Sequence, residues 1–396
     1  MFGCLKAFIC KQFCWGSPKP HGGNQLSTKP VYFGVISEAD VETLRQHRVS
    51  GRTHPLLDLI ARKGERSWYV VEYAARIIFE NNTDWLRNLK PRLLATDDYT
   101  HASSALGELR AYGALLETWM NVKAGPKVPY SNVSPEFGVD NGDGDVVVEV
   151  HTRQLDNAEA EGLKQRQDEL RAKHQKDVAE SRAKGETKNV VTSAEKEVFP
   201  TGAPKPGKKG DTWVTNTISR IASIKEKEHQ IDPERPFVLW LDLQDYSVWG
   251  FALNLEFFRP LFSEGREGYV NSGPFWFALY GKKGDPLLYS QSFDYRSLPL
   301  AHDGRFYQTM TQAHGGPTRI SAVVYSAAGA TMVMENPNAA HPLPDRFRAA
   351  LMKVPDFRLD LSIMEWEPGL VSSTIEQDRE MVVATVNTLQ KFDAAG

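Results

Sequence analysis

Two periods run through the apolar positions of this chain, and each marks out its own elements. Across Ser67–Asn81, Val70, Tyr73, Ala74 and Ile77 recur at helical spacing, which predicts a helix with that face in the core. Leu56–Arg62 reads the same way. Ser37 stands ahead of Glu38-Ala39-Asp40, acids that suit a first helical turn, so a capped helix is predicted to about Arg48. Val31–Ile36 before it reads as a strand. Nothing in this N-terminal region points to chemistry.

Ser103–Asn121 is also helical, with Ser103, Arg110, Glu117 and Asn121 on a polar side. Glu108 falls by phase on the opposite side with Ala105, Tyr112, Leu115 and Trp119, about 200° from Arg110 at 3.6 residues per turn. A carboxylate on an apolar face needs a partner. A salt bridge to a buried Arg or Lys is one answer, and a metal ion is another.

The period then changes to two. Ser134–Gly138 and Asp145–Arg153 read as strands joined through Asn141-Gly142 and Asp143-Gly144, dipeptides that close hairpins. Alternation sends Val146, Val148 and Val150 one way and Val147, Glu149, His151 and Arg153 the other. Glu136, across the tight connection, can bring a second carboxylate close, and Asp140 is an alternative for that acid. The plain reading of Glu149 and His151 is the wet face of a half-buried hairpin.

Beyond the hairpin, Asp156–Lys188 holds eight acidic and eight basic residues and few large apolar ones, the composition of a solvated helix or helical hairpin. Pro200–Asp211 reads as a linker. Trp213–Gln230 resumes a helix, with Val214, Ile218, Ile221 and Ala222 as its stripe and Lys225, Lys227 and Gln230 near its end. Phe237–Asp242 is a nearly all-apolar strand of the kind buried on both faces. Further on, Phe275–Tyr280 and Leu287–Tyr289 suggest strands. Arg319–Tyr325 and Ala330–Met334 suggest a hairpin, Pro344–Met352 a short helix, and Ser373–Glu376 a capping box opening a final helix.

Composition changes this picture little. With 41% hydrophobic and 24% charged residues, the 396-residue chain is long enough for two lobes. A net charge of −3 gives no global positive field, so a nucleic-acid partner would need a local basic groove. The three cysteines, Cys4, Cys10 and Cys14, crowd one end and imply no disulfide framework, which suits a reducing, cytoplasmic setting. No stretch reaches membrane-spanning length. Neither a phosphate-binding glycine loop nor a G-x-S-x-G elbow is present.

Helix, hairpin, helix, buried strand, with Pro135-Glu136 followed by Glu149-Val150-His151, resembles the restriction-endonuclease-like, or PD-(D/E)XK, nuclease superfamily. In this chain His151 stands in place of the usual lysine, and Glu136 where aspartate is commoner. The resemblance covers about Ser103–Asp242. It implies an α/β fold with an αβββαβ core, interrupted by a charged helical insertion at 156–211 and followed by an additional α+β C-terminal region. The expected organisation is a tail and linker (1–30), an α-rich region (31–102), the core (103–246) and the C-terminal region (247–396).

The resemblance further implies Mg²⁺ or Mn²⁺ held by Glu108, Glu136 and Glu149, with Glu136, Glu149 and His151 catalytic. Lys227, Gln230 and Arg153 would support the site. The implied activity is hydrolysis of phosphodiester bonds in nucleic acid. Two alternatives stand beside it. One is a non-catalytic protein of the same fold that binds nucleic acid or a protein partner. The other is a zinc-type hydrolase built on His151. The three-acid reading requires Glu108, Glu136 and Glu149 to lie within about 4–6 Å of one another around a shared cation.

Overall fold

A computed structural model describes residues 29–47, 53–97, 99–118, 120–127, 134–140, 142, 144–152, 157–185, 218–219, 221–224, 231–243, 262–265, 268–271, 273–291, 294–310, 316–327, 330–351 and 371–393. Arg153, Lys227, Gln230, the cysteine-bearing segment and the 200–211 linker lie outside them.

The frame is a six-stranded mixed sheet. β3 (Asn121–Ala124), β4 (Phe137–Asp140) and β5 (Asp145–Thr152) form an antiparallel meander. β6 (Phe237–Asp242) joins β5 in parallel, β7 (Ile320–Ala327) joins β6 in parallel, and β8 (Ala330–Glu335) closes the sheet antiparallel to β7. The spatial order β8-β7-β6-β5-β4-β3 follows the order of the chain, reversed. Two strands from the 247–396 region therefore extend the same sheet, while Phe262–Gly265 with Gly268–Asn271 and Pro286–Gln291 with Asp294–Pro299 form two separate antiparallel pairs.

The β4–β5 hairpin closes at Asp140↔Asp145. Gly142 (φ 84°) and Gly144 (φ 126°) take up backbone angles that side chains with a Cβ resist, so both glycines of the turn are needed. β6 is buried along its whole length and β5 from Val146 to Val150, as parallel strands covered on both faces must be. Alternation splits their side chains between two layers. Val146, Val148, Val150, Val238 and Trp240 pack with the N-terminal helices, while Val147, Phe237, Leu239 and Leu241 pack with Ile218, Ile221, Phe275 and Tyr325. Each buried Val, Leu or Phe contributes roughly 1.5–3 kcal/mol over its exposed state.

On the first layer lie α1 (Glu38–Gln46), α2 (Pro55–Ala61), α3 (Arg66–Asn81), α4 (Thr83–Leu93) and α5 (Tyr99–Glu117). Ser37 caps α1 through a complete capping box with Asp40. Val31–Ile36, expected as one strand, is instead a small hairpin, β1 (Pro30–Tyr32) turning through Phe33-Gly34 into β2 (Ile36–Ser37). Helix α3 crosses α5 closely because Gly113 leaves no Cβ, and one added there would lie 2.4 Å from Ala74 Cβ.

α5 is buried almost all round, so the polar side assigned to Ser103 and Arg110 by helical phase does not exist. Arg110 crosses instead to Asp242 at the end of β6, Nε to Oδ2 at 2.7 Å and Nη2 to Oδ1 at 3.0 Å. Gly107 makes that approach possible. A Cβ on it would sit 1.9 Å from Thr152 Oγ1 and 3.2 Å from Asp242 Cβ.

Phe275–Tyr280, expected as a strand, is a helix, Pro274–Tyr280. Gly273, in the left-handed region, precedes the helix, and Pro274 takes the first helical position, where a missing N–H costs nothing. The run is buried on every side, so it carried no period to distinguish helix from strand. The charged segment is a single helix, α6 (Asn157–Ala183), and those of its side chains that are described are mostly exposed. No helix among the described residues is long and apolar enough to cross a membrane.

Candidate functional site

Glu136 sits just ahead of β4, and three contacts fix its position. Its carbonyl oxygen accepts the Gly125 N–H at 2.9 Å, which ties it to the end of β3. Its Oε2 accepts the Val150 N–H at 3.1 Å. Next to it, Phe137 stacks on Tyr112 of α5, with ring centroids 4.8 Å apart, and Trp85 of α4 packs edge-on against the same tyrosine.

The hydrogen bond to Val150 has a simple cause. β4 begins at Phe137, opposite Val148, so the next N–H of β5 that points toward β4 finds no strand there. A buried backbone donor must be satisfied, and the Glu136 carboxylate takes it. One step beyond the Phe137↔Val148 pair, Glu136 falls opposite Glu149. The first acid is thus held against the backbone between Glu149 and His151.

Glu149 and His151 share the face of β5 that carries Val147, opposite α5. In register they pair with Leu239 and Leu241 of β6. Glu149 is buried and His151 half-buried. Asp140, the alternative first acid, is at the far end of the hairpin and accepts the Gly142 N–H in the turn at 2.9 Å. The register therefore sets Glu136, and not Asp140, alongside Glu149.

Glu108 departs from the three-acid expectation. Its carboxylate is buried, as its helical phase required, but its cation is a guanidinium. Arg92, in the last turn of α4, donates Nη1 to Oε2 and Nη2 to Oε1, both at 2.6 Å. The bonded Glu108 carboxylate raises the Arg92 pKa against the opposing effect of burial, and the charge of Glu136 adds to the rise. Arg92 thus lies within electrostatic reach of both acids. Among the described residues no group of three or more His, Cys, Asp and Glu side chains is arranged to hold a metal ion. The expected three-acid group is therefore not assembled among the described residues.

Sequence reasoning passed over Arg92 altogether. A basic residue in a final helical turn is ordinary, because it complements the helix dipole. The one available signal was the need of Glu108 for a buried cation, and that need does not say which of the chain's arginines and lysines meets it.

No protein-family description, curated protein or solved structure matches this chain.

Proposed function

We propose that this chain is a metal-dependent nuclease of the restriction-endonuclease-like kind, acting on phosphodiester bonds with Glu136, Glu149 and His151. The observation that carries the reading is the hydrogen bond from Val150 N–H to Glu136. It holds the acid ahead of the second strand against the Glu-x-His of the third. The order of elements agrees. A helix, three antiparallel strands and a parallel fourth strand give the αβββ…β succession that the resemblance implies.

The donors fit Mg²⁺ in one form. Mg²⁺ needs only one or two carboxylates when water and substrate phosphate fill its remaining positions. Glu136 and Glu149 meet that requirement without Glu108. When bound, the cation supplies a polarised phosphoryl oxygen and a water of lowered pKa. Glu136 and Glu149 would hold it, with Glu136 itself fixed by the Val150 and Gly125 N–H groups. His151, two residues past Glu149 on the same face, accepts the proton of the attacking water, a role open to an imidazole near neutral pH.

A second reading, a non-catalytic protein of this fold that binds nucleic acid or a protein partner, is favoured by one observation. The carboxylate of Glu108 is already neutralised by Arg92. Cleavage separates the two. Labelled single- and double-stranded DNA and RNA are incubated with the full chain and Mg²⁺ or Mn²⁺. Cleavage that stops with EDTA and is lost in Glu149→Gln supports the nuclease. Binding without cleavage supports the second reading, and neither binding nor cleavage overturns any action on nucleic acid.

A further inference from the structure

Solvent reaches Glu149 by a narrow route. The residue is 7% exposed, and its face of β5 is covered by the second layer, in which Val147, Leu239 and Leu241 pack with Ile218, Ile221 and Phe275. The other face is closed by α5, with Val146 and Val148 fully buried and Gly107 set against Thr152. To one side, the end of β6 is sealed at Leu241, Asp242 and Leu243. To the other, Pro135 and Phe137 are buried at the start of β4. At these three strand ends only Glu136, His151 and Thr152 are half-buried, and none of them is exposed. The way in therefore lies past the end of β5, between the start of β4 and the end of β6. Neighbouring strands run about 4.8 Å apart, so that mouth spans two spacings, about 10 Å.

A phosphodiester has to come below the rim of this mouth to share a cation with Glu149. In a duplex each phosphate is tied through its sugar to a paired and stacked base. The surface it belongs to is wider than the opening, the major groove alone being about 12 Å across. Drawing one duplex phosphate inward then breaks pairing and stacking. An unpaired strand bends inward without that loss. Charge points the same way. A net charge of −3 gives no global positive field to hold a duplex, which carries one negative charge per roughly 1.7 Å of its length.

We infer that the substrate of this site is an unpaired strand of nucleic acid, led to Glu136 and Glu149 past His151 and Thr152, and that intact duplex is a poor substrate. The inference rests on the nuclease reading and narrows it to single strands, flaps and frayed ends.

The test is single-turnover cleavage by the full chain in Mg²⁺ or Mn²⁺. One end-labelled strand, as DNA and as RNA, is presented alone, in a perfect duplex, and in a duplex with unpaired arms at one end. The free strand should be cut roughly 10- to 100-fold faster than the same strand in the duplex, the size expected for disrupting pairing and stacking at one step. In the armed substrate the cuts should fall in the arms or at their junction. Glu149→Gln should abolish every cut, which assigns them to this site. Should that variant fail to fold, Glu136→Gln takes its place.

Duplex cut as fast as the free strand, or cuts spread evenly through the paired part, overturns the inference and leaves the nuclease reading standing. No cleavage of any form, or cleavage unchanged in the variant, overturns the inference together with the reading beneath it.

Discussion

Removing the Asp242 carboxylate tests how α5, and with it Glu108, is held over the sheet. Asp242 ends β6 and pairs in register with Thr152 on one side and Ser326 on the other. Its side chain is 0% exposed and that of Arg110 is 2% exposed. Asp242→Ala leaves the Arg110 guanidinium inside the protein without its counter-charge, and breaking a buried pair in this way costs roughly 3–5 kcal/mol. That is about a fifth or more of the stability of a typical domain, about 5–15 kcal/mol.

For an m-value of roughly 3 kcal/mol per molar urea, the unfolding midpoint should fall by about 1 to 1.7 M. Equilibrium urea unfolding followed by circular dichroism reads this directly. The reasoning makes a second demand. Replacing both partners, Arg110→Met with Asp242→Leu, removes the stranded charge and should recover most of the loss. A single variant within about 1 kcal/mol of wild type would show Arg110 reaching water. A double variant no better than the single would show that packing, not charge, fixes α5.

Other outcomes follow from the same structure. Gly107→Ala should destabilise by roughly 1–3 kcal/mol in spite of the better helix propensity of alanine, because its Cβ meets Thr152 Oγ1. Thr152→Ala in the same chain should return part of that in a thermal melt. Arg92→Ala removes two charge-assisted hydrogen bonds from the mostly buried Glu108 carboxylate and should cost roughly 1–3 kcal/mol in urea unfolding. His54 caps α2 by accepting the Leu56 N–H at Nδ1, with Nε2 on Ala95 O, so only the neutral ring fits. Burial lowers its pKa from 6.5. As pH falls below about 6.5, the unfolded chain takes up a proton that the fold resists, and stability drops. His54→Asn keeps a capping acceptor, and its melting temperature should fall less than that of wild type between pH 7.5 and 5.

Much of the frame was legible because local rules agree with it. The β4–β5 hairpin follows from its two glycine dipeptides, β6 from five consecutive apolar residues, and α1 from Ser37 and Asp40. Elements without a period were misread, as at Pro274–Tyr280, where total burial erased the amphipathic signal. The phase argument placed Glu108 inside correctly. It failed for Arg110, because a helix buried all round has no polar side. Long-range partners were out of reach: Arg110 meets Asp242 across 132 positions, and Arg92 meets Glu108 from a different helix. Helical phase tells which side chains must be satisfied, and the tertiary fold decides by what.

The most direct measurement is Mn²⁺ binding by electron paramagnetic resonance, with a phosphorothioate oligonucleotide present to complete the coordination. The account predicts bound Mn²⁺ in wild type, its loss in Glu136→Gln and in Glu149→Gln, and its retention in Glu108→Gln. Wild-type chain that binds no Mn²⁺, or equal binding by the Glu136 and Glu149 variants, would contradict it.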